Sequence, residues 1–383
     1  MARFALALFV LGCSQTLDSQ APNVTAGDPL GLNDVSILWP LPETGPPPAG
    51  YLKLFPGAGE RGPGIPEAAR QAIPNLHADV PDAIVWAATV IVAMRIDPCA
   101  RRVDGACMRE LRLSAEAIQT SLDDSAVHLI YELDEPSFDA LVTDLRVWRS
   151  TSPVPTDGAL GVHPGLAKAG IASPYARKLH DIVERFATEE ALVRVTVNAF
   201  AFDTWGFSRL DRATGWERAD LPGLASGTTG QAWRLLAQID NMNDPSGAIE
   251  PWPEQNFAAL LHADALAQGP NAPAIVEARD AILAIEHPAK ASAATHDCVS
   301  CHLSDGAHRW AEKRGVSFDT PDRWRPAADI EVATDVPPEL DGNLSNTIAF
   351  GYHRLHHGKL VPSITRRVVA ESAEVVLQLS QTH

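Results

Sequence analysis

Val127-His128-Leu129-Ile130-Tyr131-Glu132-Leu133-Asp134-Glu135-Pro136 is the stretch on which the fold turns. The apolar run from Val127 to Leu133 reads as a buried strand. It passes straight into Asp134-Glu135-Pro136, whose proline suits a first helical turn, and the helix it opens carries Phe138, Leu141, Leu145 and Trp148 on one face. Upstream, Ala88 to Ile96 is a second buried strand candidate. Downstream, Ser173-Pro174 caps a helix bearing Tyr175, Leu179, Ile182, Val183 and Phe186. From Leu192 to Phe202, Val193, Val195 and Val197 alternate with Arg194, Thr196 and Asn198, the pattern of a strand with one buried face. Residues 81–285 are therefore expected to form an α+β domain, an antiparallel sheet with covering helices.

The flanking chain differs in composition. Ser14 to about Val80 is rich in Pro, Gly and Ala, including Gly45-Pro46-Pro47-Pro48, and residues 13–80 read as a tether that becomes a loosely packed approach segment. Within it, Val35 to Pro42 is apolar enough to dock as an edge strand. A length of 383 residues points to two folded domains, and 45% hydrophobic content can fill both cores. The net charge of −17 excludes nucleic acid as a partner, because phosphates would repel it.

Catalytic signatures are missing from the first domain: there is no Gly-x-Ser-x-Gly elbow, no His-Glu-x-x-His and no phosphate-cradling glycine loop. His128, His163 and His180 occur singly and read as structural or surface histidines. Trp205, Trp216, Trp233 and Trp252 read as core or interface residues.

The chemistry lies further on. Cys298-Val299-Ser300-Cys301-His302 spells Cys-x-x-Cys-His, the attachment signature of c-type haem. Two thiols three positions apart on a helical turn can both add to the haem vinyl groups, and the next residue then presents an imidazole to the iron. His302 is the expected proximal ligand of one covalently bound haem c. A zinc site would need four ligands, and the other cysteines lie far upstream. A thioredoxin-like pair would follow a buried strand, whereas Ala293-Ala294-Thr295-His296-Asp297 is small and polar.

Residues 1–12 read as a signal peptide: Arg3, then the apolar run Phe4 to Leu11, too short to span a bilayer. Gly12-Cys13 resembles a bacterial lipobox, with Cys13 lipidated as the mature N-terminus. The expected location is the bacterial cell envelope, periplasm-facing and tethered to the outer membrane. Cys99 and Cys107 remain, and an oxidising compartment favours a disulfide between them, with two buried free thiols as the alternative.

After a helix over Ala274 to Ile285, Asp297 or Thr295 caps the helix that starts at the Cys-x-x-Cys-His motif, Leu303, Ala307 and Trp310 continue its inner face, and Gly315 ends it. Loops and a terminal amphipathic helix of about Thr365 to Leu379 follow. That order resembles a small class I cytochrome c over Ala291 to His383, and it implies an all-α, cytochrome c-like domain for residues 286–383. The departure is the sixth ligand, since Met1, Met94, Met108 and Met242 all precede the motif. The loop offers His353, His356 and His357 instead, with His356 or His357 the expected distal ligand and His353 third. A weaker, wider resemblance, carried by the lipobox, Asp97-Pro98-Cys99, Cys-Val-Ser-Cys-His, Ala349 to Tyr352 and Arg367 to Val375, is to uncharacterised cytochrome lipoproteins of myxobacterial kind. The functional expectation is one-electron transfer to a redox partner protein. The alternatives are a peroxidase or reductase at a five-coordinate iron, and a haem-binding sensor or structural envelope lipoprotein.

Overall fold

The computed structural model describes residues 29–42, 49–118, 124–201, 204–235, 249–252, 260, 268–326, 337–341, 343–355 and 359–381. Its centre is an antiparallel sheet. The strands are β1 (Ser36–Leu38), β2 (Thr89–Arg101), β3 (Cys107–Ala117), β4 (Ala126–Leu133), β5 (Leu192–Ala201), β6 (Thr204–Asp211), β7 (Glu217–Arg218), β8 (Gly230–Leu235) and β9 (Ile249–Trp252). They run in the order β1-β2-β3-β4-β5-β6-β8-β9, with β7 paired to β6. Three short helices come before β2: α1 (Leu32–Val35), α2 (Glu67–Ala72) and α3 (Asp82–Ala88).

On one face lie α4 (Glu135–Arg149), α5 (Pro164–Ala169) and α6 (Pro174–Phe186). Helix α4 starts where Asp134 accepts the Ser137 amide at 2.9 Å, and α6 where Ser173 accepts the Ala176 amide at 3.1 Å. Phe138, Leu141, Leu179 and Val183 pack there with Leu111, Leu113, Val127, Leu129, Tyr131, Val195 and Val197 from β3, β4 and β5. Each such large side chain contributes about 2 kcal/mol on burial, so this layer anchors the sheet. Its strands and helices form a mixed α and antiparallel β layer that also takes in β1, outside residues 81–285.

The opposite face carries α7 (Pro273–Glu286), α8 (Cys298–Glu312), α9 (Arg366–Gln381) and a hairpin of β10 (Phe350–Arg354) and β11 (Leu360–Ile364). Here the expectation of a separate all-α, cytochrome c-like domain over 286–383 is overturned. Val299, Leu303, Ala307 and Trp310 of α8 share a core with Trp205, Phe207 and Trp233 of β6 and β8. Val368, Val369, Ala373 and Leu379 of α9 belong to the same core as Val35, Ile37 and the α4–α6 layer. Each terminal helix has one apolar stripe, and that stripe is spent on the sheet, so the two helices build no core of their own.

The loosely packed approach segment is also corrected. Ile37, Leu38, Trp39, Leu52 and Leu54 are fully buried, and β1 pairs with β2 as the expected edge strand. Cys99 and Cys107 stand at disulfide distance, Cα–Cα 4.4 Å, across the β2–β3 hairpin, where a register shift between Asp97 and Ala100 turns Cys99 toward its partner. Among the described residues no helix is long and apolar enough to cross a membrane.

Candidate functional site

Strict alternation along β3 sends Leu111, Leu113, Ala115 and Ala117 to the helical layer and Glu110, Arg112, Ser114 and Glu116 to the other face. That polar face is not solvated: Glu110, Ser114 and Glu116 are buried. In register beside Arg112 and Ser114 stand Arg95 on β2, Ile130 and His128 on β4, and Thr196 on β5. Together they floor a cleft whose roof is Cys298, Cys301 and His302 of α8 with Arg367, Val368 and Glu371 of α9. The Cys-x-x-Cys-His motif therefore faces the sheet rather than a pocket within a terminal domain.

The start of α8 is held firmly. The Asp297 carboxylate accepts the Ser300 amide at 2.9 Å, the Ser300 hydroxyl at 2.6 Å and the Gln231 amide nitrogen of β8 at 2.7 Å. The Gln231 side-chain oxygen in turn accepts the Val299 amide at 2.9 Å. This capping satisfies the exposed amides of the first turn, and it fixes both thiols over the cleft. Burial pushes the Cys298 and Cys301 thiols up, Arg367 opposing it at Cys301 from 2.5 Å. Thiols held protonated in this way are poor partners for disulfide exchange.

His302 Nδ1 lies 2.5 Å from the Thr347 carbonyl oxygen. A carbonyl can only accept, so Nδ1 carries the proton and Nε2 is left unprotonated, the arrangement that fixes ring orientation in ligating histidines. Burial holds the His302 imidazolium down at about 4, and the ring is neutral at pH 7, as a ligand must be. Phe207 packs against it at 5.2 Å between ring centroids.

Across the cleft, the His128 ring stands 5.7 Å from that of His302, tilted by 40°. Its Nδ1 is taken up by the Ser114 hydroxyl at 2.9 Å, while Nε2 is shut from solvent with no hydrogen-bond partner. Burial, with His302 adding to it, pushes the His128 imidazolium well below the usual histidine range. An orphaned ring nitrogen of this kind costs about 1–3 kcal/mol, and it belongs to a histidine that the sequence alone reads as structural or surface.

The remaining site expectations fare differently. His353 is buried on β10, its Nδ1 engaged by the Asp124 carboxylate and its Nε2 3.3 Å from the Asn343 amide nitrogen, and it does not line the cleft. Its strand is pinned by Glu116, which accepts the Tyr352 amide at 3.1 Å; Gly351 permits that approach, since a Cβ there would overlap the carboxylate. His356, His357 and Cys13 lie outside the described residues. Among the described residues no group of three or more His, Cys, Asp or Glu side chains is placed to hold a bare metal ion, so the two cysteines have no companions there for a zinc site.

No family model matches this chain, and neither a curated protein nor a solved structure matches it.

Proposed function

We propose that this chain is an exported c-type cytochrome that carries one haem through Cys298 and Cys301, with His302 as proximal ligand, and exchanges single electrons with a partner protein. The observation that carries the reading is the Cys-x-x-Cys-His turn held over a buried cleft, with His302 Nδ1 anchored on the Thr347 carbonyl and Nε2 free to coordinate. The orphaned Nε2 of His128 supports the fit, because it leaves a buried nitrogen in want of a ligand on the other wall. Arg95, Arg112 and Arg367 also line the cleft, the first and last paired with Glu371 and Arg112 with Glu110.

A haem held there supplies a one-electron iron couple. The chain's own residues do the rest. Asp297 and Gln231 fix the attachment turn, and Thr347 sets the imidazole tautomer. Lipidation at Cys13 and a periplasm-facing, outer-membrane location complete the proposal, carried by the apolar run that ends in Gly12-Cys13.

The test is haem retention under denaturation. Wild-type protein made with a haem-attachment system keeps its colour on a denaturing gel, and the Cys298→Ala, Cys301→Ala double variant loses it. Wild type that releases its colour, or holds zinc instead, defeats the proposal.

A further inference from the structure

We propose that His128, from strand β4 of the sheet, is the second axial ligand, completing with His302 a bis-imidazole iron. The inference rests on the haem reading above and adds a residue that no motif marks.

Two imidazoles on opposite sides of one metal ion have ring centroids about 6 Å apart, because metal–nitrogen bonds run about 2 Å. His128 and His302 stand at 5.7 Å. In both rings Nδ1 has a partner, the Ser114 hydroxyl for His128 and the Thr347 carbonyl for His302. Each Nε2 is thereby the nitrogen offered to the cleft, and that of His128 is buried without a partner. The hydrogen bond to Nδ1 is the second-shell contact that orients a ligating histidine. Rigid support comes from the sheet: His128 is paired through the backbone to Ser114 on one side and Thr196 on the other. His353 is already engaged on both nitrogens. His296 also lines the cleft, with its Nδ1 3.1 Å from the Thr295 hydroxyl, and serves as the comparison.

The consequence is functional. Two imidazoles give a lower potential than a histidine and a methionine would, and they close the iron to small ligands. Outer-sphere electron transfer is then favoured over peroxide or gas chemistry.

The experiment uses the full-length haem-loaded protein, with absorption and electron paramagnetic resonance spectra recorded with and without carbon monoxide. Wild type is expected to be low-spin and unreactive toward carbon monoxide. His128→Ala becomes high-spin and binds it, and added imidazole restores the low-spin spectrum. His296→Ala and His353→Ala keep the wild-type spectrum. His128→Met folds around a side chain of similar volume and stays six-coordinate with a raised potential. A wild-type protein already five-coordinate, or a His128→Ala protein that keeps a bis-imidazole spectrum, overturns the inference. If the alanine variant does not accumulate, a bis-imidazole spectrum in His128→Met overturns it equally. Absence of covalent haem from wild type is a separate result, and it defeats the proposed function itself.

Discussion

Glu371 sits where α9 meets the sheet, its carboxylate 2.8 Å from the Arg95 guanidinium and 2.7 Å from that of Arg367. Burial alone would push this carboxyl up, but Arg367, Arg95 and Arg112 outweigh it and hold it down at about 2. A folded-state value below the ordinary one near 4.5 means that the ionised group stabilises the fold above that pH, and that the contribution fades as pH falls toward 2. Glu371→Gln is therefore expected to lose about 3 kcal/mol at neutral pH by leaving buried guanidiniums unpaired. Urea titrations at a series of pH values check this. The gap between wild type and variant should close between about pH 4.5 and 2, and a gap independent of pH contradicts the assignment. At this same scale, His302 was legible as a candidate ligand because its motif is written in adjacent residues. His128 was not: its meaning depends on Ser114 and His302, which only the folded chain brings beside it.

Among elements, β4, β5, α4 and α6 were readable because their apolar positions follow one period and their caps lie next to them. Strand β3 went unread although Glu110-Leu111-Arg112-Leu113-Ser114-Ala115-Glu116 alternates strictly. Its charged half dilutes the apolar signal, and only tertiary structure reveals that this half is buried against the cleft. The loop ahead of α9 was expected to present His356 or His357 as distal ligand, with His353 third; the first two lie outside the described residues, while Phe350–Arg354 and Leu360–Ile364 pair as a hairpin and His353 is spent on Asp124 and Asn343. Glycine and histidine density there reads as loop composition. The pairing partner of β10 is visible only when Leu360 to Ile364 is counted as a strand despite Pro362.

For the whole molecule, the expectation of a separate all-α C-terminal domain failed at α8 and α9. A helix stripe such as Leu303, Ala307 and Trp310 says that something covers it, not whether the cover is a small helical domain or Trp205, Phe207 and Trp233 of a sheet. The structural consequence is that the Cys-x-x-Cys-His motif and the sheet wall of the cleft, Arg95 to Thr196, are far apart in sequence, so the cleft exists only once the sheet has folded. The proposed lipid anchor is testable at this scale too. Cys13→Ser is expected to move the protein from the membrane fraction to the soluble periplasm, and a mature N-terminus other than residue 13 contradicts the lipid anchor. The central claim is covalent attachment of haem at Cys298 and Cys301, and the most direct measurement is the mass of the proteolytic peptide that contains both residues. The expected mass is that of the peptide plus one haem, stable to acid-acetone extraction. The unmodified peptide, recovered from protein matured in a host with a working attachment system, would contradict it.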